Sequence, residues 1–381
     1  MQGSIHLGRI AGISIDLHFT WFIIFALVAL GISTTVLPRA IPDLEPAARW
    51  VLGIGMTIVF FISLLLHELA HSLVAKRLGI GISGITLFVF GGVSRMTSEP
   101  KSANDELKVA AAGPLTSALL GVMFLALWFA AKGAAGHDPI QFSLFWLGVI
   151  NFFLAGFNLV PGFPLDGGRL LRAIIWSATN DLRHATYIAA TAGQGFGYLL
   201  IGGGVLQILV SIQVLGGQGW ENGLWPIFIG WFLLDAARSS YQQQVLQSAL
   251  SGVRVRDIMT PNVITIPPDL TLQQAVDDYF LRLNHAAFPV ADAASILGIL
   301  TLPHVRRIPR DRWAYTRAAD VVEPLQGNDV MRPDADAWEA LSTIAGKDSG
   351  RLLVADGDEL VGIISRTDVM RFLRTKMELG M

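Results

Sequence analysis

The stretch FFISLLLHELAHSLV, residues 60–74, decides the fold class, because it places three ionisable side chains inside an otherwise apolar run. Ionisable groups are costly in a hydrocarbon layer, and within a membrane span they mark a function by default. His67 and His71 are four residues apart, so on a helix their imidazoles share one face and can bind one Zn²⁺. Glu68 lies one residue along and can act as a base on water. The H-E-x-x-H pattern therefore predicts hydrolytic metal chemistry inside a membrane.

The composition of the chain agrees with a membrane protein. Of its 381 residues, 52% are hydrophobic and 15% are charged, and the mean hydropathy is +0.52. Soluble domains carry about 25% charged residues. The net charge of −2 gives no support for a nucleic-acid partner. The absence of cysteine excludes disulfides, thiolate metal ligands and a thiol nucleophile, so any metal must be bound by His, Asp or Glu.

A membrane-spanning helix needs about 20 largely apolar residues. Six segments are candidates, at residues 18–37, 50–78, 107–131, 143–159, 187–215 and 224–237. The sixth is short and has Pro226 near its start. The N-terminus lacks the basic start and small-residue cleavage site of a signal peptide, so we expect the first apolar run to be retained. The fold class predicted is a polytopic α-helical membrane protein of about six transmembrane helices, followed by a soluble α/β region.

Residues 79–97, which follow the H-E-x-x-H segment, are rich in Gly, Ile, Val and Phe and predict a β-hairpin insertion. The exposed edge over Phe88–Ser94 could pair with an extended substrate, since strand addition supplies partners for an unwound backbone. The alternative is a purely structural hairpin.

The distribution of Lys and Arg around the spans predicts the orientation of the chain. Ten of them fall on one side of the predicted spans, namely Arg9, Lys76, Arg77, Arg95, Lys101, Lys108, Arg169, Arg172, Arg183 and Arg238. Three fall on the other side, namely Arg39, Arg49 and Lys132. Both termini are therefore expected in the cytoplasm, with the chain a multi-pass protein of a prokaryotic cell membrane.

A catalytic zinc site needs a third protein ligand and an open position for water. Asp166 is the best candidate, because it lies in PGFPLDGG at residues 161–168, where prolines end the fourth span and a glycine pair permits a tight turn. Spacing alone leaves open that Asp166 belongs only to an Asp-Gly turn at the interface. Asn158 is similarly ambiguous, since an Asn beside a broken helix can simply satisfy freed backbone groups.

Two motifs together resemble the signatures of the site-2 protease family of intramembrane zinc metalloproteases: HELAH at 67–71 and NLVPGFPLDGG at 158–168. FGG at 90–92 and AAGP at 111–114 extend the resemblance, which covers nearly all of residues 1–238. The resemblance implies one zinc ion bound by His67, His71 and Asp166, with Glu68 as general acid/base. Asn158 would hydrogen-bond the substrate or the developing oxyanion. The implied substrate is a single-pass membrane protein, cleaved in or near its transmembrane segment.

A His near the start of the first span also resembles this family. We interpret His18 as a helix-start residue at the membrane–water interface in preference to a role in metal binding.

From about residue 253 the composition becomes that of a soluble α/β region containing two similar segments. They resemble a pair of CBS domains at 253–310 and 313–375, after a linker at 239–252. In that family a Gly-h-h-Thr/Ser-x-x-Asp pattern contacts an adenine nucleotide. The second copy keeps Ser365 and Asp368, whereas the first has Thr301 but His304 in place of Asp. The resemblance implies one nucleotide site, or alternatively a CBS pair that serves only to form a homodimer.

A different class of function is also compatible with these features. A transporter or channel gated by its CBS pair could use His67, Glu68 and His71 as an ion pathway. Such a pathway requires neither a Glu between the histidines nor the N-x-x-P-x-x-x-x-D-G segment that begins at Asn158. The protease is therefore the favoured prediction.

Overall fold

The computed structural model describes residues 4–89, 91–96, 98–131, 139–214, 219–283, 285–292, 296–322, 325, 329–347, 350–357 and 359–379. The chain divides into two compact units, Met1–Gln244 and Val245–Met381. The first unit is mostly helical. Its helices are α1 (Thr20–Gly31), α2 (Leu37–Ala40), α3 (Pro46–Arg77), α4 (Ala103–Ala130), α5 (Pro139–Asn158), α6 (Asp166–Thr179), α7 (Leu182–Val214) and α8 (Leu224–Leu250). A π-helical segment, Ile32–Val36, joins α1 to α2, and a 3₁₀ turn, Trp220–Gly223, precedes α8.

Within the described part of the chain, five helical segments are long and apolar enough to cross a membrane. They are Thr20–Ala40, Pro46–Arg77, Ala103–Ala130, Pro139–Asn158 and Leu182–Gln213. They confirm the first five predicted spans. The sixth prediction, residues 224–237, is helical as the first part of α8, but α8 is not among the five. Its 14 residues rise only about 21 Å, less than the ~30 Å hydrocarbon layer.

The helices of the first unit are accompanied by a four-stranded sheet. Its strands are β1 (Ser4–Ile10), β2 (Ile13–His18), β3 (Ile82–Phe88) and β4 (Gly91–Met96), in the order β1-β2-β3-β4. β2 and β3 are parallel and the other two pairs are antiparallel. The β3–β4 pair is the predicted hairpin. Both β1 and β4 lie at the edges of this sheet.

The β1–β2 hairpin is a correction to the expectation that the first span begins at His18. Ile13, Ile15 and Leu17 alternate with polar residues in β2 and are buried, while α1 begins only at Thr20. Their side chains pack with those of Leu65 and Leu69 on α3. The sheet is therefore held against the helix that carries the H-E-x-x-H motif.

The second unit has an α/β fold, as predicted. Its helices are α9 (Val255–Ile258), α10 (Leu272–Gln274), α11 (Leu281–Leu283), α12 (Leu302–Arg306), α13 (Ala337–Ala345) and α14 (Arg366–Glu378), with a π-helical segment at Ala275–Phe280 and 3₁₀ turns at Arg310–Arg312 and Ala318–Asp320. Its strands are β5 (Thr260–Pro261), β6 (Ala287–Ala291), β7 (Ile296–Thr301), β8 (Val330–Met331), β9 (Arg351–Asp356) and β10 (Glu359–Ser365). They form sheets of order β5-β10-β9-β8 and β6-β7.

Each of the two similar segments has its own hydrophobic core. The first core surrounds Phe288 and Leu300, and the second surrounds Leu352 and Ile364. Leu250, the last residue of α8, is fully buried in the second core. The stretch predicted as a linker, residues 239–252, is thus helical up to Leu250.

Candidate metal centre

Three side chains predicted as metal ligands come together in the first unit. α3 places Nε2 of His67 and Nε2 of His71 3.2 Å apart. Oδ2 of Asp166, the first residue of α6, lies 3.1 Å from the His67 nitrogen and 3.0 Å from the His71 nitrogen. Both histidines are buried, and Asp166 is largely shielded from solvent. The structure therefore brings together three potential ligand atoms from residues almost 100 positions apart.

The donor set and its surroundings fit a zinc ion. Nδ1 of His71 lies 2.6 Å from the carbonyl oxygen of Val109, which can only accept, so this nitrogen carries the proton. In the neutral ring, Nε2 then presents a lone pair to the carboxylate of Asp166, and two acceptors this close repel unless a cation binds both. Ligand atoms about 2.0–2.1 Å from a tetrahedral zinc lie roughly 3.3 Å apart, which is close to the distances observed here.

α4 supplies a partner for the Nδ1 atom of each imidazole ring. Nδ1 of His67 lies 2.9 Å from Oγ of Ser117, and Val109 supplies the partner of His71. Gly113 lies between these two residues, and a Cβ atom there would overlap Nε2 of His71. Hydrogen bonds to the far nitrogen of a metal-binding histidine fix its tautomer and ring orientation. The AAGP motif at 111–114 is thus a point of close helix approach, while Ser117 and Val109 were not identified from the sequence.

The loop between α5 and α6 aims Asp166 at the histidines. α5 ends at Asn158, and α6 begins at Asp166 itself. A Cβ atom on Gly167 would overlap the backbone of Leu159 and Val160, and one on Gly168 would overlap the backbone of Gly162 and Phe163. The glycine pair is therefore required for the close backbone approach that brings the carboxylate back towards α3.

Glu68 lies beside the three converging side chains and contacts β4. Its Oε2 atom is 3.2 Å from Oγ of Ser94, which is also 2.9 Å from Oγ of Ser72. Gly92 packs so closely on the Glu68 side chain that a Cβ atom would overlap Cγ of the glutamate. Two residues of β4 therefore define the position of this carboxylate. Phe90, the first residue of the FGG motif, lies outside the described residues.

A cavity of about 570 Å³ opens onto this site. His67, Glu68, His71, Asp166 and Asn158 all line it. Its other walls include β4 residues from Gly91 to Ser94 and apolar residues of α8, namely Trp225, Phe228, Ile229, Phe232 and Leu233. The space beside the three converging side chains can thus hold a short polypeptide segment that is mostly apolar.

Asn158 and His18 have local partners. Nδ2 of Asn158 donates to the carbonyl oxygen of Leu154, 2.9 Å away. This contact agrees with the alternative interpretation, in which Asn158 satisfies a backbone group beside the broken helix. Its side chain nonetheless lines the cavity. Nδ1 of His18 lies 2.8 Å from Oγ1 of Thr20, the first residue of α1, which agrees with the favoured helix-start role.

The two residues expected to contact a nucleotide are adjacent in the second unit. Oδ2 of Asp368 accepts from the backbone amide of Ser365 at 2.9 Å and from its Oγ at 2.5 Å. Oδ1 of Asp368 lies 3.3 Å from Oγ1 of Thr260. In the first copy, Nδ1 of His304 lies 3.2 Å from the carbonyl oxygen of Ile299. Asp368 therefore sits at the start of α14 beside β5, with one carboxylate oxygen bonded to its own turn.

Comparison with known proteins identifies the family. The sequence profile of peptidase family M50 matches residues 55–144 and 128–201, and that of the CBS domain matches residues 255–311 and 328–375. Rip3 of Mycobacterium tuberculosis, named as a zinc metalloprotease, is 35% identical over 98% of this chain and 93% of its own length. A zinc metalloprotease of Methanocaldococcus jannaschii is 31% identical over 97% of this chain and 96% of its own length.

Among solved structures, the site-2 protease from Methanocaldococcus jannaschii is 32% identical and matches 62% of this chain and 95% of its own, with a TM-score of 0.42. The sequence matches to the two metalloproteases run through both the H-E-x-x-H region and the two CBS segments, and their length and identity establish the family. The chain belongs to peptidase family M50, the site-2 protease family, and is a multi-pass membrane zinc metalloprotease with a pair of CBS domains.

Proposed function

We propose that His67, His71 and Asp166 bind one catalytic zinc ion and that Glu68 is the general acid/base of this protease. The observation that carries the proposal is the convergence of two imidazole nitrogens and one carboxylate oxygen within 3.0–3.2 Å of each other, with the Glu68 carboxyl lining the same cavity. Zinc at this site would polarise the scissile carbonyl and activate a water molecule for attack. Glu68 takes the proton of the attacking water and delivers it to the leaving amine.

We further propose that the substrate is a single-pass membrane protein cleaved in or near its transmembrane segment. The cavity is lined largely by apolar side chains from α8 and by β4. β4 is an edge strand of its sheet, so its free side offers backbone partners to a substrate segment that has left the helical conformation. Asn158 faces the same cavity, and turning its amide from Leu154 towards the substrate would supply a hydrogen bond to the carbonyl being attacked.

The test is a comparison of purified Glu68→Gln and Asp166→Ala proteins with the unmodified chain. Glu68→Gln should keep about one zinc per chain and lose cleavage of a transmembrane substrate, because the amide cannot accept a proton. Asp166→Ala should lose cleavage and should be purified with little zinc, because the two histidines that remain bind the ion only weakly. Glu221→Gln, which removes a carboxylate from an exposed residue of the 3₁₀ turn before α8, is the matched control and should keep both.

Cleavage by Glu68→Gln near the rate of the unmodified chain would contradict the acid/base assignment, and full zinc occupancy in Asp166→Ala would contradict the ligand assignment.

We also propose that the CBS pair binds an adenine nucleotide through Ser365 and Asp368. The support is the pattern in the second copy and the position of both side chains at the start of α14. Calorimetry on the full-length protein with ATP, ADP and AMP should show binding that Asp368→Ala weakens and that His304→Ala in the first copy leaves unchanged. No heat with any of the three at millimolar concentration would leave homodimer formation or substrate contact as the function of this unit.

A further inference from the structure

One buried stripe of α4 contacts both histidines of the candidate metal centre and the helix that begins with Asp166. Glu106, Val109, Gly113 and Ser117 are spaced by three or four residues, so they share a helix face, and all four are buried. Ser117 is the partner of His67, the carbonyl of Val109 is the partner of His71, and Gly113 packs against both rings. Glu106 is the fourth member of this stripe, and its described partners are not the histidines.

Glu106 instead binds α6, the helix that begins with Asp166. Nε of Arg172 donates to Oε1 of Glu106 at 2.8 Å, and Nη2 of the same guanidinium also contacts that oxygen. Glu106 is fully buried and Arg172 is 8% exposed. The guanidinium also lies 5.2 Å from the ring centre of Phe163, in the loop that precedes Asp166.

A third partner contacts the remaining nitrogen of the guanidinium. Nη1 of Arg172 lies 3.4 Å from Oε1 of Gln244, a buried residue of α8. Because Arg172 is six residues after Asp166, the two side chains are separated by about 9 Å along one short, regular helix. A helix anchored at this point cannot rotate about its axis or slide along α4 without breaking a buried charged contact, which is strongly unfavourable.

We propose that Glu106 and Arg172 are positioning residues for the metal centre and set the place of the Asp166 carboxylate through α6. This inference rests on the proposed function, in which Asp166 is a zinc ligand. In this arrangement the single buried face of α4 aligns all three ligands: it orients His67 and His71 directly and Asp166 through the ion pair. The alternative is that the ion pair stabilises the fold as a whole without a specific effect on the ligand.

A double-mutant cycle separates these two roles, because an effect transmitted through Asp166 disappears once Asp166 is absent. The readout is the dissociation constant for Zn²⁺ of the full-length protein in detergent, measured by competition with a chelator. Removal of an outer partner of a metal ligand typically weakens affinity by about 10–100-fold. We expect Arg172→Met to weaken zinc binding by about 10-fold in the unmodified chain and by less than about 2-fold in the Asp166→Ala background.

Two further variants serve as references. Ser117→Ala acts on His67, so its loss of affinity should persist in the Asp166→Ala background. Lys347→Met breaks the ion pair with Asp329 in the second unit and should leave zinc affinity unchanged in both backgrounds. If Arg172→Met does not fold, Arg172→Lys keeps the charge, removes the planar fork and is judged by the same comparison.

An equal loss of affinity from the Arg172 variant in both backgrounds, or no loss in the unmodified chain, would overturn the positioning role. Unchanged zinc affinity in Asp166→Ala alone would instead overturn the proposed ligand assignment, so the two failures are distinct.

Discussion

The candidate centre depends on residues that supply no ligand atom. The clearest is Gly113, which lets α4 approach α3 closely enough for Val109 and Ser117 to reach the two histidines. Any side chain at this position would occupy the space between the rings. Replacing one glycine hydrogen with a methyl group is a small chemical change. At this position, however, the methyl group would displace the imidazole nitrogens that we propose bind zinc.

Gly113→Ala should therefore weaken zinc binding by at least 10-fold, in the range seen when outer contacts of metal ligands are lost. The added Cβ would overlap Nε2 of both His71 and His67. Both rings are buried and each has a partner on α4 at its Nδ1 atom, so neither can turn away without losing that contact. Zinc content after dialysis against a weak chelator is the measurement.

Gly202→Ala is the matched control, because a Cβ there meets no atom within 4 Å and the substitution favours the helix. Wild-type zinc content in Gly113→Ala would show that α4 does not constrain the histidines.

Sequence patterns single out the side chains of the candidate site more readily than the groups that contact them. His67, Glu68 and His71 are predicted from the H-E-x-x-H pattern, because ionisable residues at helical spacing stand out within an apolar run. Asp166 is predicted as a ligand through the resemblance, since spacing alone also allows a simple turn. The carbonyl of Val109 has no sequence signature, because every residue carries one and only tertiary packing decides which carbonyl meets a given histidine.

Among the secondary-structure elements, the four-stranded sheet of the first unit is predicted only in part from the sequence. β3 and β4 follow from their Gly- and β-branched-rich composition. β2 is not predicted, although ISIDLH alternates strictly between apolar and polar residues, because the long apolar run that follows it masks that short period. The strand is stabilised by contacts far along the chain, such as the parallel pairing of Ile15 with Ile85. A pairing partner 70 residues away cannot be inferred from local periodicity.

A three-residue cluster ties the strands of this sheet together and predicts a pH-dependent contribution to its stability. Nδ1 of His6 on β1 lies 2.9 Å from Oδ1 of Asp16 on β2, and Arg95 on β4 contacts the other carboxylate oxygen. The hydrogen bond with His6, together with the Arg95 guanidinium, holds the pKa of Asp16 below its ordinary value. A depressed pKa stabilises the folded state above the unfolded pKa of about 3.9, and this stabilisation is lost as the pH falls through the folded pKa.

Asp16→Asn should accordingly lower the thermal unfolding temperature at pH 7, and its difference from the unmodified chain should shrink at pH 3. Unfolding in detergent, followed at both pH values, provides the measurement. Asp43→Asn removes an exposed carboxylate that precedes α3 and is the control, for which we expect a negligible change. A deficit of equal size at pH 7 and pH 3 would mean that the ionised carboxylate is not what stabilises the sheet.

For the molecule as a whole, α8 decides the topology. Five apolar helices would place the two ends of the chain on opposite sides of the membrane, whereas the Lys and Arg distribution predicts that both are cytoplasmic. α8 has 27 residues and is roughly 40 Å long, which exceeds the hydrocarbon thickness even though its apolar part does not. We propose that α8 is the sixth crossing. Its apolar residues that line the cavity would then be shielded by protein at membrane depth.

The chain has no cysteine, so single introduced cysteines report the topology directly. Asp43→Cys lies between α2 and α3, and Tyr315→Cys replaces a residue that is 88% exposed in the second unit. With six crossings and cytoplasmic termini, a membrane-impermeant maleimide added to intact cells should label Asp43→Cys, and should label Tyr315→Cys only after permeabilisation. If α8 returns without crossing, both sites face the same side and give the same result. Labelling of Tyr315→Cys in intact cells would contradict the orientation, and the unmodified chain, which should remain unlabelled throughout, controls for reaction at other side chains.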